Sequence, residues 1–105
     1  MLYDDLQGHD AVLNGVEFDP VKQTVSVRLL AYPELNDSKR LSIEIAFKDV
    51  ASVALNADLV SLAANRSAGN VNHWHIAEGE GTSYIYLTEG YIAISSRSAP
   101  KLVRF

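Results

Sequence analysis

Residues 83–95, "SYIYLTEGYIAIS", decide the fold class. Two alternating runs flank the pair Glu89-Gly90, and a glycine there tolerates the positive φ that two-residue hairpins require. Successive side chains of a strand point to opposite faces, so both arms of a hairpin must agree on which face is buried. A turn at Glu89-Gly90 sets Leu87 opposite Ile92 and Ile85 opposite Ile94 on one face. It sets Tyr86 opposite Ala93 and Tyr84 opposite Ser95 on the other. The parity agrees on both arms. The stretch therefore reads as an antiparallel hairpin with an apolar inner face and a tyrosine-bearing outer face.

The same period extends outward. In "VNHWHIAE" (71–78), Trp74 and Ile76 share one face and His73 and His75 the other. Trp74 is the single tryptophan and has a large apolar surface to bury, so its face should be the core. A four-residue turn at "GEGT" (79–82) sets Trp74 opposite Leu87, Ile76 opposite Ile85, His75 opposite Tyr86 and His73 opposite Thr88. "RLSIEIAFK" (40–48) alternates most cleanly, with Leu41, Ile43, Ile45 and Phe47 against Ser42, Glu44 and Lys48. "AVLNGVEF" (11–18), with Val12, Val16 and Phe18 on one face, and "QTVSVRLLAY" (23–32), with Val25, Val27 and Leu29, read as a hairpin. Its turn is "DPVK" (19–22), where Pro20 fixes φ and Asp19 can bond the backbone ahead.

"NADLVSLAANRSAG" (56–69) changes period. Asn56 is placed to cap a helix, Asp58 to favour its positive end, and Gly69 to end it in a left-handed conformation. Leu59, Leu62 and Ala63 fall on one stripe, which predicts a short helix laid across the sheet. "PELNDSKR" (33–40) reads as an exposed loop. "SAPKLVRF" (98–105) is too apolar to hang free and should dock on the core or on a second subunit. The expected architecture is α+β: a curled antiparallel sheet, or a split barrel or sandwich, of about six to seven strands with one short helix.

A length of 105 residues fits a single domain, 1–105. The absence of cysteine excludes disulfides, thiolate nucleophiles and cysteine-ligated zinc. "MLYDDLQGHD" is acidic where a signal peptide starts basic, and no apolar run nears the roughly 20 residues that span a bilayer. The reading is a soluble, cytoplasmic protein that does not use a membrane. Net charge is −4 and the basic residues are scattered, so no stripe exists to neutralise a phosphate backbone and nucleic acid is not an expected partner.

His73 and His75 point the same way from one strand, as metal ligands must, and Glu80 follows at the spacing of the first cupin motif. The likeness stops there: Leu87 stands where that motif has glycine, Gly69 is two residues too close, and His9 is the only further histidine. A catalytic metal wants about three protein ligands. No Gly-x-Ser-x-Gly elbow and no phosphate-cradling glycine loop occurs. Glu78 and Glu80 at a hairpin tip read as solvated, Asp4-Asp5 as a helix start or a loose end, and His9-Asp10 as a local hydrogen bond orienting the first strand. No catalytic residue, metal or cofactor is expected.

What remains is a surface. His73, His75, Tyr84, Tyr86 and Tyr91 should share the outer face of one sheet, with Arg97 at its rim. Tyrosine gives a large contact area with a polar tip and is enriched where proteins meet. The expectation is a non-catalytic module docking a protein partner on that face, provided the helix or the carboxy-terminal segment does not cover it. Alternatives are a metal- or small-ligand protein using His73 and His75, and a homo-oligomer joined by an unpaired edge strand and the "KLVRF" end.

"GHDAVLNGVEFDPVKQTVSVRL", "LSIEIAFKDV", the asparagine-rich approach to Trp74 and the final glycine-turn hairpin resemble a diffuse group of small bacterial proteins. That group includes immunity proteins of polymorphic-toxin systems. The resemblance implies a non-catalytic, partner-binding role, with a toxin as the partner, and carries over no functional residue.

Overall fold

Asp19 closes the first hairpin. Its Oδ1 accepts hydrogen bonds from the amides of Val21 at 2.9 Å and Lys22 at 3.1 Å. These bonds, the Lys22 amide foremost, hold the carboxyl below its usual range. The turn joins β1 (Gln7–Asp19) to β2 (Thr24–Tyr32), as the alternation predicts. The computed structural model describes residues 7–32, 41–64 and 69–104. The expectations for Asp4-Asp5, for the 33–40 loop and for the side chains of His9 and Asp10 lie outside what it describes.

β3 (Leu41–Phe47) pairs antiparallel with β2, and β8 (Lys101–Arg104) with β3, giving a four-stranded sheet in the order β1-β2-β3-β8. β4 (Val50–Ala57), β5 (Val71–His75), β6 (Gly81–Leu87) and β7 (Gly90–Ser96) form a second, in the order β4-β7-β6-β5. The described residues thus hold eight strands in two antiparallel sheets, one or two more than the pattern predicts. β4 is the addition. In "VASVALNA" Val50 and Ala54 share a parity with the polar Ser52 and Asn56, so the alternation is faint.

Only Lys48 and Asp49 separate β3 from β4, so the chain passes from one sheet to the other around a tight corner. Asp49 makes it with φ 54°, a left-handed conformation that aspartate tolerates better than most residues. Three bonds lock the corner: Val50 N to Gln23 O (2.9 Å), Arg97 N to Asp49 O (3.0 Å), and the Ser98 hydroxyl to the Asp49 carboxylate. The sheets enclose one core. Leu29, Ile43, Ile45 and Phe47 meet Ile85, Ile92 and Ile94 there, all buried, and Trp74 and Leu102 pack half-buried against them. Leu102 accounts for the docking of β8: the strand adds to β3, and Leu102 points inward opposite Ile45.

Three local expectations are corrected. In β1 a register shift between Leu13 and Gly15 makes Leu13, opposite Leu29, the inward partner of Val16, opposite Val27. Val12 is instead buried beside β5 through a bridge to Asn70, and Phe18 is 61% exposed at the hairpin end. The helix α1 (Leu59–Ala64) is capped by Asp58, whose Oδ1 accepts from the amides of Val60 and Ser61, both at 3.0 Å, because Asn56 is still in β4. α1 buries no residue and does not lie across the sheet. Gly69 does not adopt the left-handed cap; it is buried where Leu62 and Leu13 close on its backbone.

Candidate functional site

The second sheet turns one face to the core and the other outward. Tyr86 pairs with Tyr91, Tyr84 with Ala93 and Thr82 with Ser95 across β6 and β7. Both arms keep the predicted faces, but the register differs by two residues, with the turn at Thr88-Glu89 and Gly90 as the first residue of β7. The reason is steric. Gly90 lies opposite Ala57 of β4 with φ 146°, and a Cβ there would sit 2.2 Å from the Asn56 carbonyl oxygen. Glycine is needed for that close approach rather than for the turn.

The β5–β6 pair shifts in the same sense. His73 lies opposite Tyr86 and His75 opposite Tyr84, where the sequence pattern set them against Thr88 and Tyr86. The connection runs through 76–80, and an irregularity between Val71 and His73 turns Val71 inward, opposite Leu87. Trp74 keeps its inward face, opposite Ile85. The Ala77 amide donates to the buried Ser83 hydroxyl at 3.0 Å, satisfying both groups beneath the turn.

The outer face is therefore built as predicted, and wider. His73 stacks on Tyr86 with ring centres 6.0 Å apart and planes 12° from parallel, and Tyr86 stacks on Tyr84 at 5.9 Å and 4°. Tyr84, Tyr86 and Tyr91 are 38%, 42% and 41% exposed. Among the described residues neither predicted cover lies on them. β8 extends the first sheet, and α1 lines a cleft with the inward-facing Leu13, Val16 and Leu55. β4 adds Ser52, Ala54 and Asn56 beside Ser95, Ala93 and Tyr91. These are the face residues that the pattern missed, because Ala54 and the irregularity after Val50 blur the alternation of β4. Thr82 and Ser95 join hydroxyls at 2.8 Å.

Across this face no side chain carries a carboxylate, an ammonium or a guanidinium. Charge begins at the rim, where Arg97 and Glu80 line a shallow hollow of about 260 Å³ with Thr82 and Ser95. The first sheet's outer face is different. Arg28 there reaches Glu44 at 3.3 Å and Glu17 at 3.7 Å, an exposed charged cluster of the kind that keeps a surface wetted. Among the described residues no three His, Cys, Asp or Glu side chains converge as metal ligands. Glu78 and Glu80 are both exposed at the tip of the β5–β6 connection. No helix of the described residues is long and apolar enough to cross a membrane.

No family model matches the chain, and neither the curated proteins nor the solved structures yield a match.

Proposed function

We propose that the protein is a non-catalytic binding module that docks a protein partner on the outer face of its second sheet. One observation carries the reading: an exposed ladder of His73, Tyr86 and Tyr84 rings lies within a face free of fixed charge, on a molecule of net charge −4. Protein interfaces are depleted of charge at their centre and enriched in tyrosine, with charged residues at the rim. Here Tyr91 extends the ladder across the hairpin, His75 flanks it, and Arg97 stands at the edge. The resemblance to immunity proteins supports a toxin domain as the partner, held by occlusion rather than by chemistry.

The test is affinity capture from the native host followed by titration of the purified partner. The Tyr84→Ala/Tyr86→Ala variant should bind about 10- to 100-fold more weakly, as expected for the loss of central aromatic anchors. Its melting temperature should stay within a few degrees, since both rings are well exposed. Equal affinity of a folded variant would overturn the assignment of the face.

A further inference from the structure

Each sheet has two edge strands, and an open edge offers unpaired backbone donors and acceptors to any extended chain. Three of the four edges are blunted. β8 is four residues long and contains Lys101 and Arg104. β5 is five residues long and irregular after Val71. β1 shifts register twice and contains Asp10 and Glu17. β4 is different: eight residues without a charge or a proline, irregular only between Val50 and Ser52, and exposed from Ala51 through Asn56. Its inward-facing Val53 and Leu55 are 37% and 51% exposed, each lining an open hollow shared with β1.

We infer that β4 is the interface for a second copy of this chain, added antiparallel across a two-fold axis at Ala54. The inference is independent of what docks on the tyrosine face. A two-fold axis normal to the sheet keeps each face on its own side, so residues of equal parity must oppose one another. With the axis at Ala54, Val53 lies opposite the partner's Leu55 and Ser52 opposite the partner's Asn56, each pair occurring twice. Apolar meets apolar on the inner side and polar meets polar on the outer side, with a small residue on the axis.

Charge agrees with this register. Antiparallel pairing brings Lys48, two residues before β4, toward the partner's Asp58, just after it, at both ends of the interface, while the intervening Asp49 carboxylate is already bonded by the Ser98 hydroxyl. Shape agrees too. Phe18 and Pro20 line a hollow of about 220 Å³ beside Val50 and Val53. The partner's Leu59, 74% exposed at the start of α1, comes off its own β4 toward that hollow. Pairing would join the two second sheets into one eight-stranded sheet with a continuous uncharged face.

Sedimentation velocity on the wild-type chain tests this, at concentrations up to about 100 μM, where even a Kd of that order leaves a large dimeric fraction. Wild type should sediment with twice the monomer mass. Ala54→Lys, which sets two ammonium groups together on the axis, should be monomeric with an unchanged circular dichroism spectrum. Ala54→Lys mixed with Ala54→Glu should recover the dimer. A wild-type monomer throughout the range, or an Ala54→Lys chain that stays dimeric, overturns the proposal. Should Ala54→Lys lose its fold, amide hydrogen exchange on wild type decides: the β4 amides should be protected in a concentration-dependent way, and protection independent of concentration overturns the proposal.

Discussion

His73 and Tyr86 face each other across β5 and β6, their rings 6.0 Å apart and within 12° of parallel. Tyr86 has a second stacked neighbour in Tyr84, so three rings from two strands brace one another on the outer face. A bracing of this kind fixes side-chain rotamers before any partner arrives and so lowers the entropy lost on docking. A charge placed among the rings should interrupt docking while sparing the fold. Ala93, opposite Tyr84, is the site for it. Ala93→Lys is expected to weaken partner binding at least about tenfold, through a desolvated ammonium at the centre of an uncharged face. Calorimetric titration beside a melting curve reads both effects.

Gly90 and Gly15 make a matched pair of strand glycines with opposite expectations. Gly90→Ala drives a Cβ to within 2.2 Å of the Asn56 carbonyl oxygen, and φ is 146°. The backbone of β4 or β7 must move, and a loss of more than about 2 kcal/mol is expected. Nothing lies within 4 Å of a Cβ at Gly15, so Gly15→Ala should stay within about 0.5 kcal/mol of wild type. Urea unfolding with unchanged m-values would measure both.

The core and the open edge should answer truncation very differently. Phe47 is 2% exposed and packed between the sheets, so Phe47→Ala is expected to cost about 3–5 kcal/mol. Leu59, 74% exposed on the single chain, should tolerate alanine within about 0.5 kcal/mol at concentrations that keep the chain monomeric. Equal losses by chemical denaturation would mean that α1 is packed rather than exposed.

Acid should loosen two turns. The Lys22 amide, with that of Val21, lowers the Asp19 carboxyl, and the Ser61 amide and hydroxyl, with the Val60 amide, lower that of Asp58. A lowered folded value means that each carboxylate contributes stability above its unfolded value, about 3.9. That contribution is lost as pH falls through the folded value. Carboxyl titrations followed by NMR should find both midpoints below those of ordinary aspartates, with the Val21, Lys22 and Ser61 amides moving in step. Asp19→Asn should remove the first of these transitions and leave the second.

Much of this was legible in the residues. Ile43, Ile45 and Phe47 alternate with polar neighbours and are buried as the alternation requires, and the Asp19 turn follows from its own side-chain chemistry. The ring-bearing face was legible for the same reason, since parity survives a shift of two residues even though the pairing Leu87–Ile92 becomes Ile85–Ile92. Register was not legible. It depends on how closely β4 approaches Gly90, a contact between segments more than thirty residues apart. β4 was hidden because an edge strand exposed on both faces has no buried side to set a period, and Asn56 then resembled a helix cap.

The order of strands has a consequence in time. All four strands of the second sheet lie between β3 and β8, yet β8 pairs with β3 and completes the first sheet. A chain emerging from the ribosome therefore holds β3 with one side unsatisfied until Lys101–Arg104 appears, long after its other neighbour β2 is in place. During that interval the flank of β3 that β8 will cover offers unpaired backbone donors and acceptors. Of the eight described strands, the one that follows all the others is the one that seals it.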